Sequence, residues 1–188
     1  MPARTDDNNI TVRLRNCRLS FPVLFTPKAD EKGKLKYSAA FLFEKNSDAG
    51  RKNIQAIKDA IQQHIKNKNK GTQLPSGKIC LREGSEKDFD GYGENVMFTS
   101  ASTKNRPLVV DLQGNDIAET DAKAPYAGCY VNANIDVWFQ NDKDYGKRVN
   151  ASLRSVQFLR DGEPFGSAAK DAKQEFGDVS EDAGEDLG

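Results

Sequence analysis

The chain has 188 residues, enough for one domain with its own hydrophobic core and too few for two large ones. Apolar residues make up 37% and charged residues 30%, and the formal charge of zero conceals a division: residues 174–188 carry −6 with no Lys or Arg, leaving +6 on residues 1–173. No apolar run is long enough to span a membrane, and residues 1–9 are polar and charged, so neither a membrane span nor a secretory leader is expected.

Residues 1–9 read as a flexible N-terminus. Ile10, Val12 and Leu14 then alternate with Thr11, Arg13 and Arg15, which gives a strand with one apolar and one basic face running to about Leu19. Ser20, Phe21 and Pro22 are expected to end it. Residues 30–34, DEKGK, form a turn by composition, and KYSAAFLF (36–43) makes a second strand with Tyr37, Phe41 and Phe43 on its core side. Ile54, Ile57, Ile61 and Ile65 recur at helical spacing behind a cap at Ser47 or Asp48, and residues 67–71 stop the helix. Its single stripe packs it on a sheet. Residues 66–94 are a long polar connection with turn residues such as Asp90, Gly91 and Gly93, a candidate binding loop.

Two further strands follow at 95–102 and 107–112, with a turn at 113–116. The strongest strand is 129–139, where Val131, Ala133, Ile135, Val137 and Phe139 form an apolar face opposite Tyr130, Asn132, Asn134, Asp136 and Trp138. Residues 141–146 reverse the chain. Val149, Ala151 and Leu153 then face in and Arg148, Asn150, Ser152 and Arg154 face out, until Val156 and Phe158 break the parity as a bulge would. About six strands and one packed helix over residues 10–166 suit a mainly β barrel or sandwich, the OB fold first among them. Residues 167–188 are expected to form a disordered acidic tail, since acids, Gly, Ser and Ala cannot offset the entropy of ordering.

Common catalytic signatures are missing: there is no GxxxxGK(S/T), HExxH, GxSxG or GxGxxG. His64, the single histidine, reads as a partly exposed helix residue favoured by the dipole. Cys17, Cys80 and Cys129 are too widely spaced for a zinc ribbon or a disulfide framework and read as small buried fillers. No catalytic residue, metal or cofactor is expected. The one opening for catalysis is the carboxylate group Glu83, Glu86, Asp88, Asp90 and Glu94, whose spacing is wrong for a calcium loop and suits a solvated one.

What the sequence does supply is a set of cations and flat side chains on outward strand faces, the combination that single-stranded nucleic acid requires. Tyr130 and Trp138 are candidate platforms, Asn132 and Asn134 neutral hydrogen-bonding groups, and Arg148 and Arg154 lie across the turn. Arg13, Arg15 and Arg18 decorate the first strand, Lys104 and Arg106 follow another, and Tyr92 sits between two glycines. Each has a plainer reading: Trp138 packed under a neighbour, the arginines merely solvated.

The run GCYVNANIDVWFQNDKDYGKRVNASLRSVQFLRDGEPFG (128–166) and the acidic tail behind it resemble the phage-encoded single-stranded DNA-binding proteins of OB fold, as do RLSFPVLFTP (18–27) and KYSAAFLFEK (36–45). The resemblance implies sequence-independent coating of single-stranded DNA in phage replication and recombination, inside the host bacterial cytoplasm. It also implies a tail, with Glu175, Asp178, Glu181, Asp182, Glu185 and Asp186, that mimics DNA and contacts replication proteins. The chain ends Leu187-Gly188, whereas the best-known acidic-tailed binders end in an aromatic residue. Weak binding to duplex DNA or RNA is a further expectation. The rival readings are a metal-dependent nuclease using residues 83–94 and a protein-interaction module.

Overall fold

The computed structural model describes residues 8–166. Residues 1–7 and the tail, with its six carboxylates Glu175, Asp178, Glu181, Asp182, Glu185 and Asp186, lie outside the described residues. The elements are β1 (Asn9–Ala29), β2 (Leu35–Glu44), α1 (Asp48–Lys68), β3 (Leu81–Glu83), β4 (Val96–Thr103), β5 (Leu108–Val110), β6 (Tyr130–Asp142) and β7 (Gly146–Arg160). They form one sheet in the order β3-β4-β2-β1-β6-β7-β5, and a parallel pairing of β4 with β7 closes β1, β2, β4, β7 and β6 into a mixed barrel. β3 and β5 lie outside it. This is the mainly β, OB-like architecture expected, with seven strands among the described residues rather than about six.

β1 does not stop at Phe21 and Pro22. It pairs with β6 from Asn9 to Arg18 and with β2 from Arg18 to Ala29; one-residue bulges flank the change of partner, and a third irregularity between Val23 and Lys28 inserts three extra residues. At the first, Asn16 has φ +52° and its amide donates to Asn132 Oδ1 at 3.0 Å. The buried Asn53 of α1 stands in for a missing strand here: its amide group bonds both the N–H and the C=O of Arg15, at 2.9 and 2.7 Å. At the second, Phe21 has φ +46°, and Pro22, which has no N–H to offer a ladder, falls where none is needed.

α1 follows the sequence reading closely. Ser47 Oγ accepts the Gly50 amide at 2.9 Å, Asp48 and Lys66 with Lys68 complement the dipole at the two ends, and Gly71 at φ +76° donates to Ile65 beyond the stop. Ile54, Ile57, Ile61 and Ile65 are buried against β1, β2 and β6. His64 is buried too, 3% exposed, with Nε2 2.8 Å from the Val137 carbonyl. The expectation of a partly exposed histidine is thus corrected: the buried stripe is wide enough to take it, and the β6 carbonyl satisfies its ring.

The β6–β7 hairpin has the predicted parity. Val131, Ala133, Ile135, Val137 and Phe139 are buried opposite Phe158, Val156, Leu153, Ala151 and Val149. The register slips between Asn134 and Ile135, so Arg154 is the bulged residue that restores Val156 and Phe158 to the core.

Candidate nucleic-acid interface

Two turns meet at one end of the barrel. In the β1–β2 turn, Asp30 Oδ1 accepts the amides of Lys32 and Lys34, both at 2.9 Å, and Oδ2 lies 3.3 Å from Lys36 Nζ. The Lys34 amide bond and the Lys36 charge hold the Asp30 carboxyl below its ordinary value. In the β6–β7 turn, Asp142 Oδ1 accepts the amides of Asp144 and Tyr145. Lys32 Nζ stands 4.2 Å from the centre of the Tyr145 ring, which joins the two turns.

From there a groove crosses the outer face of β2, β4 and β7. Its floor is neutral and polar: Ser100 and Ser102 on β4, Asn150 and Ser152 on β7, Gln140 on β6. Trp138 Nε1 donates to Ser152 Oγ at 2.9 Å, and Asn150 to Gln140 at 2.6 Å, so the floor is internally fixed. The central cavity, about 560 Å³, is lined by Lys36, Lys78, Arg82, Lys87 and Arg148 and by no carboxylate. Arg82 is paired with Glu86 at its edge, 2.7 Å away. Arg148 Nε is buried without a hydrogen-bond partner among the described residues. A buried donor of this kind is costly unless something accepts from it.

The other end of the groove is aromatic. Phe21 and Phe89 meet edge to face at 4.9 Å, Phe89 and Tyr92 at 5.6 Å, and Tyr92 and Phe98 at 5.1 Å. Tyr92 donates to Ser20 Oγ at 3.2 Å, and burial raises the pKa of its phenol.

Of the residues selected from sequence, Trp138, Arg148 and Tyr92 come together around this groove. The others are dispersed, because the outward side of a long twisted strand turns away around a barrel. Arg13, Asn134 and Arg154 line a second depression, where Arg154 reaches Asp136 at 3.3 Å and Thr11 at 3.2 Å. Arg18 lies over Phe165 at 4.0 Å and donates to the Glu163 carbonyl, while Arg160 covers Tyr130 at 3.9 Å. These contacts fasten residues 160–166 to the barrel. Asn132 bridges the Asn16 bulge to Gln157. Arg15, Lys104 and Arg106 are exposed.

Sequence reasoning missed Lys36, Lys78, Arg82, Lys87, Phe21, Phe89 and Tyr145. Phe89 left a trace, being the one large apolar residue between Leu81 and Tyr92 in a charged segment. The lysines left none, since their convergence depends on barrel closure.

The carboxylates of the 83–94 segment point to separate partners: Glu83 to Lys45 at 2.6 Å, Glu86 to Arg82, and Asp90 to the Gly166 amide at 3.0 Å. Among the described residues, no group of three His, Cys, Asp or Glu side chains is placed to hold a metal ion. The cysteines are free; burial pushes Cys17 up to about 12 and Cys80 and Cys129 to about 11, so all three stay protonated thiols at neutral pH.

In OB barrels the face of the second and third strands, with the loops between strands one and two and strands four and five, takes oligonucleotides. Here β2, β4, the turn at 30–34 and the β6–β7 turn hold those positions, and the groove lies between them, which places the chain in the class of OB-type barrels. The chain belongs to the family described as "Enterobacter phage Enc34, ssDNA-binding protein", whose sequence profile matches residues 10–187. It is 40% identical over 177 residues to protein p50 of Acyrthosiphon pisum secondary endosymbiont phage 1, covering 90% of this chain and 94% of that one. The single-stranded DNA-binding protein from bacteriophage Enc34, solved in complex with ssDNA, is 29% identical with a TM-score of 0.69, covering 88% of this chain and 98% of that one. The gp2.5 single-stranded DNA-binding protein encoded by bacteriophage T7 shares the fold, at 12% identity and a TM-score of 0.53 over 81% of this chain and 93% of that one.

Proposed function

We propose that this chain binds single-stranded DNA, with little regard to base order, in the groove over β2, β4 and β7, and serves phage DNA replication and recombination. The observation that carries this reading is the meeting of five cations, of which only Lys36 and Arg82 are ion-paired among the described residues, around a polar floor that holds Trp138 and the Arg148 Nε, which has no partner among the described residues. Cations neutralise phosphates and release counterions, while hydroxyls and amides tolerate any base edge. Membership of the Enc34-type family supports the same reading. Trp138 and Arg148 form the centre of the site, and Tyr92 stands at its aromatic end. Arg13, Asn134 and Arg154 give a second basic surface for a longer strand, and Arg15, Arg18, Lys104, Arg106, Tyr130 and Asn132 belong to the proposed surround.

The test is a titration of single-stranded and duplex oligonucleotides at two salt concentrations, followed by the fluorescence of Trp138, the single tryptophan. Single strands of different sequence should bind alike, quench Trp138, and lose affinity with a slope of about −0.7 per phosphate contact in log salt. Labelled DNA should stay intact with magnesium or manganese. A salt-independent response, or duplex bound as tightly as single strand, would remove the reading.

The tail is proposed to regulate this site and to contact replication proteins. The tail's six carboxylates fall within 15 residues, and a coil of that length spans roughly 20 Å, so they would compete with phosphate at an effective concentration of order millimolar. Truncation after Lys173 should therefore raise affinity at low salt, and the gain should shrink as salt rises. Equal affinity of the two proteins at low salt would leave partner recruitment as the tail's role.

A further inference from the structure

We propose that residues 161–166 form a clasp that holds one exposed wall of the groove in place, with Phe165 as its positioning residue, and so ties the root of the acidic tail to the single-strand site; this rests on the reading of the groove as that site. β7 ends at Arg160, and the chain then runs back over the barrel. Tyr126 donates its hydroxyl to Asp161 Oδ1 at 2.8 Å and accepts the Gly162 amide at 3.1 Å. Arg18 donates to the carbonyls of Gly128 at 3.2 Å and Glu163 at 2.6 Å, and its guanidinium covers the Phe165 ring. The Phe165 amide donates to the Ala127 carbonyl at 3.0 Å. The close approaches are made at glycines: a Cβ at Gly128 would overlap the Glu163 carbonyl, and one at Gly91 would overlap the Phe165 ring.

The far end of this strap meets the groove wall. The Phe165 ring lies on Gly91, and the Gly166 amide donates to Asp90 Oδ2 at 3.0 Å. Residues 85–91 are all exposed, and they carry Lys87 to the central cavity. The segment has little hold of its own, since the amides of Lys87 and Tyr92 bond within it, to the carbonyls of Gly84 and Phe89, each at 3.1 Å. Its outward ties are the Glu86–Arg82 pair, the Phe89–Phe21 contact, the Tyr92 hydroxyl on Ser20, and the clasp. An exposed stretch held at so few points opens at low free energy, so the clasp governs how much of the time Lys87 stands at the groove. Gly166, from which the tail continues, is thereby fixed beside that wall and not at the end of β7. A DNA strand that requires Lys87 in place binds the closed clasp and, by reciprocity, favours it.

The experiment measures amide hydrogen exchange and single-strand affinity for full-length wild type and Phe165→Ala. Without DNA, the variant should exchange its Lys87 and Tyr92 amides about 5- to 30-fold faster, while the amides inside α1 and the melting temperature stay as in wild type. Its affinity for a mixed-sequence single strand should fall with the closed fraction, by about 3- to 10-fold. In wild type, a saturating single strand should slow exchange at the Phe165 and Gly166 amides, which lie outside the groove. Unaltered exchange at Lys87 and Tyr92 in the variant overturns the clasp. Faster exchange with unaltered affinity, or no protection of Phe165 and Gly166 by DNA, overturns its link to the groove. Failure of wild type to bind single strands is a different result: it overturns the reading of the groove, and the exchange measured without DNA still decides the clasp.

Discussion

Lys36→Ala/Arg148→Ala should lower affinity for single-stranded DNA by about 25-fold at 0.1 M salt and flatten the salt slope by about 1.4. Each phosphate contact on a single strand contributes about 0.7 to that slope, which corresponds to about fivefold at 0.1 M relative to 1 M. The two residues project from β2 and β7, and both line the central cavity and the depression beside the Lys32–Tyr145 contact, so a strand in the proposed groove would pass both. Neither holds the fold together. Lys36 has one partially exposed ion pair, with Asp30 at 3.3 Å, and pairs of that kind contribute little. The double variant should therefore keep the wild-type melting temperature. Removing Lys36 also frees the Asp30 carboxylate at the groove mouth, which adds repulsion in the same direction. A steep slope retained by the double variant would place the phosphates elsewhere, with the second depression at Arg13 and Arg154 the next surface to alter.

Phe41→Ala is expected to cost about 3–5 kcal/mol of stability, a large part of the 5–15 kcal/mol typical of a domain. Phe41 is fully buried on β2, between Leu19 of β1 and Thr99 of β4, which are themselves inaccessible. Residues 39–43 are buried on both faces of the strand, so neighbours have little freedom to collapse into the vacated volume. Denaturant titration should show a lower midpoint at an unchanged m-value, and melting should fall by about 6–20 °C. A loss below about 1 kcal/mol would mean that the core refills the site.

Much of this architecture was legible because local pattern and tertiary burial agree. The alternation of Val131, Ala133, Ile135, Val137 and Phe139 is the inward face of β6, and the parity break after Leu153 is a bulge at Arg154. Where local chemistry and the fold diverge, the reading failed. Ser20-Phe21-Pro22 has the composition of a strand end, yet β1 continues through it, because a bulge takes up the extra residue and the ladder with β2 resumes at Val23. β3 has three residues and is held as a strand by pairing to β4, a partner about 15 residues away that no local window contains. The groove was harder still. Trp138 and Arg148 share a hairpin and could be found by parity, but Lys36, Lys78 and Lys87 come from separate segments and share a wall only once the barrel closes. Hydrophobic periodicity reports which side of a strand faces in; it is silent on which outward sides become neighbours.

β4 and β7 are joined at a single residue pair, Ser102 with Ser152, while Ile79 bridges to Val149 beside it. Every other junction of the barrel is a ladder of several pairs, so this seam is where amide hydrogens should exchange with solvent at the lowest opening free energy. The groove runs directly over it, with Ser100 and Ser102 on one bank and Asn150 and Ser152 on the other. A nucleic acid strand bound in the proposed groove would span the joint and act as an external staple, slowing exchange on both banks together and stabilising the barrel against unfolding by an amount that grows with its free concentration relative to Kd.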